Sequence, residues 1–224
     1  MKFAFIHNLD NIPGQHITFA RQLAEQTNRE FCVIRDLPSD MEEYCEAESI
    51  DMLFISCRNQ RKEVQQWLNK TRDLRLPYVF LTDTMNHIRE LHNVVSPVSM
   101  LEEEVHKAET LTHLARFTGA EILLLQAHDY GSRAKQNTDR ISTALMQFDL
   151  KVKTEIAKKD SFSVGREAAE RQKEWQTDLL VITASREYGL DDLFFGPQER
   201  HIIRSSNCPV LLLNPRGDLF SLCD

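Results

Sequence analysis

Glycine is scarce in this chain of 224 residues, seven in all, and so are the motifs of common catalysts. There is no G-x-S-x-G elbow, no H-E-x-x-H pair and no Walker loop, which removes the sequence signatures of serine hydrolases, zinc peptidases and P-loop enzymes. The five cysteines (Cys32, Cys45, Cys57, Cys208 and Cys223) include no C-x-x-C pair. The opening MKFAFIHNLDN is too short an apolar run for a secretory signal, so a reducing cytoplasm is the expected compartment. No apolar run has the length of a membrane span. Basic clusters are missing too. A formal net charge of −7 and an isoelectric point near 5.6 exclude a general nucleic-acid binder, because counterion release needs a cationic surface.

What is present is ordinary for a soluble globular protein: 42% hydrophobic and 27% charged residues. The length allows one large domain or two small ones, each able to bury a core. The periodic segments order themselves into two passes. In the second, VVSPVS from Asn93 is a strand. A helix follows from Met100 to about Thr118 with Leu101, Val105, Ala108, Leu111, Leu114 and Ala115 on one face, and Gly119 ends it. AEILLLQAH is the next strand, Arg133 to Gln147 a helix, DLKVKTEIA an alternating strand, and Phe162 to Trp175 a helix. DLLVITAS is a further strand. A loop with Gly189 and Gly196, a helix over 197–206 and the strand CPVLLLNP complete this pass with five strands.

The first pass is shorter. KFAFIHN, EFCVIRD, IDMLFISC and LPYVFLTD are its four strands, with helices at about Pro13 to Thr27 and Asp40 to Glu48. Between its last two strands, RNQRKEVQQWLNKTRDLR has no glycine, which suits a helix and not a phosphate-cradling loop. Strand, helix, strand units with right-handed crossovers give parallel sheets, so two α/β lobes are expected: residues 1–90, degenerate, and 91–224, complete, joined by a connector over residues 82 to 93.

The stretch from Asp178 to Pro215 resembles the C-terminal part of the universal stress protein family. There an apolar strand runs into a G-x-x-G-x9-G-[ST] loop that holds ATP phosphates in nucleotide-binding members, followed by a short helix and a CPVLVV strand. Ala184, Ser185, Arg186 and Glu187, then Gly196-Pro197, Arg204 and Cys208-Pro209-Val210 fall into that frame. The resemblance implies two Rossmann-like, doubly wound parallel-sheet lobes of universal-stress-protein type in tandem, the first degenerate, arranged as a pseudo-dimer within one chain. Family members also dimerise by pairing their last strands. If the two last strands pair within this chain, that edge is used up, and any homodimer must form on another surface.

The frame is broken where the chemistry would sit. The first loop glycine falls on Ala184 and the second on Glu187, eight residues instead of nine separate Glu187 from Gly196, and the hydroxyl position is Pro197, which lacks both a side-chain donor and an N–H. Pro197 suits the first turn of a helix instead. Glu187, Asp191, Asp192 and Glu199 outnumber Arg186 and Arg200, so a polyphosphate meets repulsion unless a metal bridges it. Where nucleotide-binding members end their first strand in Val-Asp, this chain has Val98-Ser99. Ser99 also begins Ser99-Met100-Leu101-Glu102, a capping-box pattern.

Other candidates each carry a plain alternative. His128-Asp129 follows a strand at the end where α/β sheets bind ligands, or merely opens a polar loop. Cys57 beside Arg58 and Arg61 could be an activated thiol or a structural one. Acidic neighbours would raise the pKa of Cys45. His7, His106, His113 and His201 have no partners at metal-ligand spacing and suit surface positions. Trp67 and Trp175 fit helical core positions.

No catalytic or metal constellation emerges. The expectation is a non-catalytic protein of the stress response acting by binding or assembly, without a cofactor and without ATP bound in the usual way. One rival is an adenine-nucleotide binder with at most slow ATP hydrolysis, taking ATP with Mg²⁺ at Pro97, Ser99, Gln126, Ala127, Ala184, Ser185, Gly189, Gly196 and Gln198. Another is a sensor of a less anionic small molecule in the same crevice, with His128 and Tyr188 as contacts.

Overall fold

The computed structural model describes residues 1–9, 12–184 and 197–214. Its strands are β1 (Lys2–His7), β2 (Glu30–Ile34), β3 (Ile50–Cys57), β4 (Tyr78–Thr82), β5 (Asn93–Val98), β6 (Glu121–Gln126), β7 (Val152–Ile156), β8 (Leu179–Thr183) and β9 (Val210–Leu213). Its described α-helices are α1 (Gly14–Gln26), α2 (Met41–Ala47), α3 (Arg61–Thr71), α4 (Lys107–Thr118), α5 (Arg133–Met146), α6 (Val164–Glu170) and α7 (Gln198–Ser205). The four strands expected before the connector and the five after it are all present.

They form one nine-stranded sheet in the order β2-β1-β3-β4-β9-β8-β5-β6-β7. Every pairing is parallel except β4 with β9, where Tyr78 faces Leu212, Val79 faces Leu211 and Phe80 faces Val210 in antiparallel register. The last strands of the two runs thus pair inside the chain, and β2 and β7 are left as the sheet's edges. This arrangement is the α/β class with Rossmann-like halves that the alternation of elements implied.

Side chains alternate across each central strand into two helical layers. Phe3, Phe5, Met52 and Phe54 point to the layer that holds Phe19 and Leu23 of α1, Leu111 and Leu114 of α4, and Ile141 and Leu145 of α5. Ala4, Ile6, Leu53 and Ile55 point to the layer that holds Val64 and Trp67 of α3, Ala168 of α6 and Ile202 of α7. Both cores run across the β4–β9 seam without a break. Tyr78 and Phe80 share a cluster with Val210 and Leu212.

The connector is tied down by one buried carboxylate. Asp178, fully buried ahead of β8, accepts from Arg89 Nε at 2.5 Å, from the backbone N–H groups of His92 and Asn93 at 2.9 and 2.8 Å, and lies 3.1 Å from His87 Nε2. Charge-assisted bonds of this kind are about twice as strong as neutral ones.

Two helices differ from the periodic reading. The expected helix from Met100 starts as a 3₁₀ segment, Glu102–His106, before α4, and ends at Gly119 (φ +72°) as the glycine implied. The expected helix from Phe162 is regular only over Val164–Glu170; residues 171–176 are turns, ending at Gln176 with φ +49°. At the break Arg171 gathers Glu155, Glu167 and Glu174. Trp175 therefore lies outside the helix, half-buried, under the Arg171 guanidinium at 4.2 Å and donating to Glu155 at 3.1 Å. Trp67 is a core residue, as its spacing implied.

Candidate functional site

In an open α/β sheet a crevice forms past the carboxyl ends of the strands. Here β5 and β8 end side by side, and the 3₁₀ segment, the loop before α6 and the start of α7 wall off a cavity of about 230 Å³. Pro97, Ser99, Ala184 and Gln198, four of the ten positions singled out from the sequence, line it together. Ser185, Gly189 and Gly196 lie outside the described residues, as does Tyr188. Gln126, Ala127 and His128 do not line it, and their backbone groups bond to neighbouring strand ends. Ala127 N–H donates to Val98 O, Gln126 O accepts from Ala157, and His128 N–H donates to Lys159 O, with the imidazole exposed.

The polar floor is a pair that periodicity could have shown and residue type concealed. Lys107 lies four residues before the buried Leu111, on the helix face that packs inward. Its Nζ is buried and donates to Glu104 Oε2 and to Pro97 O, both at 2.5 Å. Glu104 in turn accepts from Ser99 Oγ at 2.9 Å. Ser99 is thus not a helix cap. The capping box with Glu102 does not form; Ser99 Oγ turns to Glu104 and accepts only a local bond from Leu101 N–H at 3.3 Å. Asn137 of α5 fixes the segment by donating to Ser99 O and Leu101 O.

The opposite wall is set by a second network. Asp129 accepts from both Ser161 N–H and Ser161 Oγ, and the same hydroxyl accepts from Met100 N–H at 2.8 Å. Asp129 therefore braces the crevice from outside it. Glu167 on α6 accepts from Lys158 N–H, Lys159 N–H and Arg171; burial pushes its carboxyl up, but these donors outweigh it and leave the pKa below the usual value. At α7, Pro197 occupies the N-cap position, not the first helical turn expected from sequence, and Gln198 Nε2 donates to Phe162 O at 2.6 Å. Glu199, buried and in the first turn of α7, also lines the cavity. Leu101 and Phe162, both largely exposed, form an apolar rim.

Thiols and imidazoles elsewhere offer no competing site. Cys57 is fully buried, and burial pushes its thiol far up despite Arg58 and Arg61. Burial, followed by Cys32, likewise raises Cys45 to about 12, in place of the acidic neighbours expected from sequence. His106 and His201 are exposed, and His7 is half-buried and hydrogen-bonded to Leu9 O. His113 is half-buried against Phe117 and shifted down by that burial. The histidine that residue type did not flag is His16. It is fully buried on α1, three and four residues before Phe19 and Ala20 on the same face, with Nδ1 2.7 Å from Ser56 Oγ. Burial lowers its pKa to about 4. Among the described residues no group of three His, Cys, Asp or Glu is arranged for a metal, and no helix is long and apolar enough to cross a membrane.

Comparison with known proteins agrees with this architecture. Residues 90–214 match the model of the universal stress protein family. In fold the chain is similar to a universal stress protein from Archaeoglobus fulgidus DSM 4304, with a TM-score of 0.64 and 14% identity over 97% of this chain and 88% of that one. It is also similar to a functionally unknown protein from Pseudomonas aeruginosa PAO1, with a TM-score of 0.53 and 12% identity over 97% and 83% of the two chains. No curated protein gave a match.

Proposed function

The chain belongs to the universal stress protein family, and from that premise we propose that it is a non-catalytic member, acting in the stress response by binding or assembly, whose crevice takes a small ligand less anionic than ATP. The observation that carries this is the start of α7. A helix N-terminus attracts anions through its free N–H groups and dipole. Here the N-cap is a proline, and a buried carboxylate, Glu199, stands in the first turn facing the cavity. The lysine in the crevice, Lys107, is already held by Glu104 and Pro97 O.

The residues that line the cavity do not favour ATP with Mg²⁺, because Pro197 and the Glu199 carboxylate stand where phosphates would meet the helix start. They suit a compact, neutral or weakly charged molecule with an apolar part against Leu101, Phe162 and Ile202, and hydrogen-bonding groups toward Ser99 and Gln198. Cytoplasmic residence and homodimerisation through a surface other than the seam belong to the same proposal, as does the division into lobes 1–90 and 91–224.

Calorimetric titration of nucleotide-stripped protein with ATP and Mg²⁺, beside Pro197→Ser and Glu199→Gln variants, tests it. No heat at millimolar ATP for the native chain, with binding restored in the double variant, is expected. Micromolar binding by the native protein would overturn the reading and leave the adenine-nucleotide rival standing.

A further inference from the structure

With β4 and β9 joined at the seam, the sheet keeps two edges, and β7 is the one whose backbone is laid out for a partner. Among the described residues β7 pairs with β6 alone. Two bonds fix which of its groups are used: Lys151 O accepts from Ile122 N–H, and Ala157 N–H donates to Gln126 O. Backbone groups point to alternate sides along a strand, so residues 151, 153, 155 and 157 face β6. The N–H and C=O groups of Val152, Thr154 and Ile156 therefore face outward, an open ladder for a further strand.

The strand is its own complement. Set antiparallel against a second copy and centred on Thr154, the outward groups of Thr154 meet those of Thr154, and those of Val152 meet those of Ile156. Between these hydrogen-bonded pairs Lys153 stands opposite Glu155, at the closely spaced positions where cross-strand side chains interact most, and the two-fold axis repeats the pair. Both side chains can reach a partner: Lys153 is 76% exposed, and Glu155, steadied by Arg171 and Trp175, is 38% exposed. A cavity of about 460 Å³ beside them, lined also by Leu123 and Trp175, leaves room for the incoming side chains. Lysine on an edge strand ordinarily discourages pairing. Here it selects the register, because centring the pair on residue 152, 153, 155 or 156 sets Lys151 against Lys153, Lys153 against its own copy, Glu155 against its own copy, or Lys153 against Lys159. Exposed apolar side chains add to this edge, Ile156 on β7 itself and Met146 and Phe148 where α5, which packs on β7, comes to its end. The other edge, β2, carries Glu30 and no base, so it has no such self-complement. We propose that β7 is the surface through which two copies of this chain associate, antiparallel and centred on Thr154. The inference rests on the homodimer in the reading above and not on the crevice ligand. A pairing of five-residue strands buries little area, so the dimer is a transient one.

Sedimentation velocity of the full chain over a wide range of concentration is the test. A reversible equilibrium between the 26.0 kDa monomer and its dimer is expected. Thr154→Pro removes an outward N–H that β6 does not use, a change edge strands tolerate, and should leave the thermal melt close to that of the native chain while keeping the variant monomeric throughout. Lys153→Glu sets like charges opposite each other twice and should weaken the dimer about tenfold; should the proline lower the melt, this variant decides alone. Lys151→Glu, whose side chain falls opposite Ala157 in the stated register, should leave the dimer nearly unchanged. Equal weakening by Lys151→Glu and Lys153→Glu overturns the register. A dimer that neither Thr154→Pro nor Lys153→Glu alters overturns the edge, with homodimerisation through some other surface still standing. A monomer at every concentration overturns the proposal together with the homodimer, and leaves the crevice reading, which calorimetry tests, untouched.

Discussion

The two runs of strands end in opposite ways. Past β1 and β3 the polar group buried under α1 is neutral and closed, with His16 against Ser56 and both fully buried. Past β5 and β8 it is charged and open, with Lys107 and Glu104 paired beneath a cavity. A buried charge must be matched by opposite charge and by further hydrogen bonds, whereas a neutral imidazole needs far less. The same scaffold thus buries a neutral pair in one half and an ion pair beneath a crevice in the other.

The comparison breaks most sharply at Lys107. Lys107→Met leaves Glu104 buried and unpaired, and a loss of about 3–5 kcal/mol in denaturant-measured stability is expected. Adding Glu104→Leu should recover most of it, because both charges are then gone; a double variant as unstable as the single one would show that the pair is not what organises the crevice floor.

Acid should act on the other half. Burial lowers the pKa of His16 from 6.5 to about 4, so the unfolded chain takes up a proton across that window and the folded chain does not. The contribution is fully present above pH 6.5 and is lost as pH falls toward 4, by about 3 kcal/mol in total. His16→Asn should flatten the stability profile in that window, and a slope unchanged by the substitution would place the acid sensitivity elsewhere.

The smallest effect compares two helix ends. α1 and α4 are each followed by a left-handed residue two positions before the next strand, Asn28 (φ +54°) and Gly119 (φ +72°). Gly119→Ala should cost about 1–2 kcal/mol, the penalty of a left-handed alanine, whereas Asn28→Gly should change stability by only a few tenths. Thermal melts of the two variants read this difference directly.

Much of the fold was legible in advance. The order of strands and helices, the connector, Gly119 as a helix stop and the core place of Trp67 all follow from hydrophobic period and turn residues. So do Pro97, Ser99, Ala184 and Gln198 as neighbours in one crevice, since strand ends and a helix start in this topology must converge. The misreadings share a pattern. Ser99 with Glu102 satisfies a local capping pattern, and Trp175 satisfies a helical one, yet in the structure Ser99 bonds Glu104, itself paired with Lys107, and Trp175 stacks under Arg171 beyond the helix. His16 and Lys107 were hidden because residue type says surface where period says core.

The sequence by itself determined the local elements and their order, because hydrophobic spacing, β-branched runs and breakers act within a few residues. Only the tertiary structure decided that β4 and β9 join the halves into one sheet, that Asp178 ties the connector, and which charges are paired and therefore buried. Those depend on groups far apart in the chain, such as Tyr78 with Leu212 and His87 with Asp178, and no local pattern encodes a partner that distant.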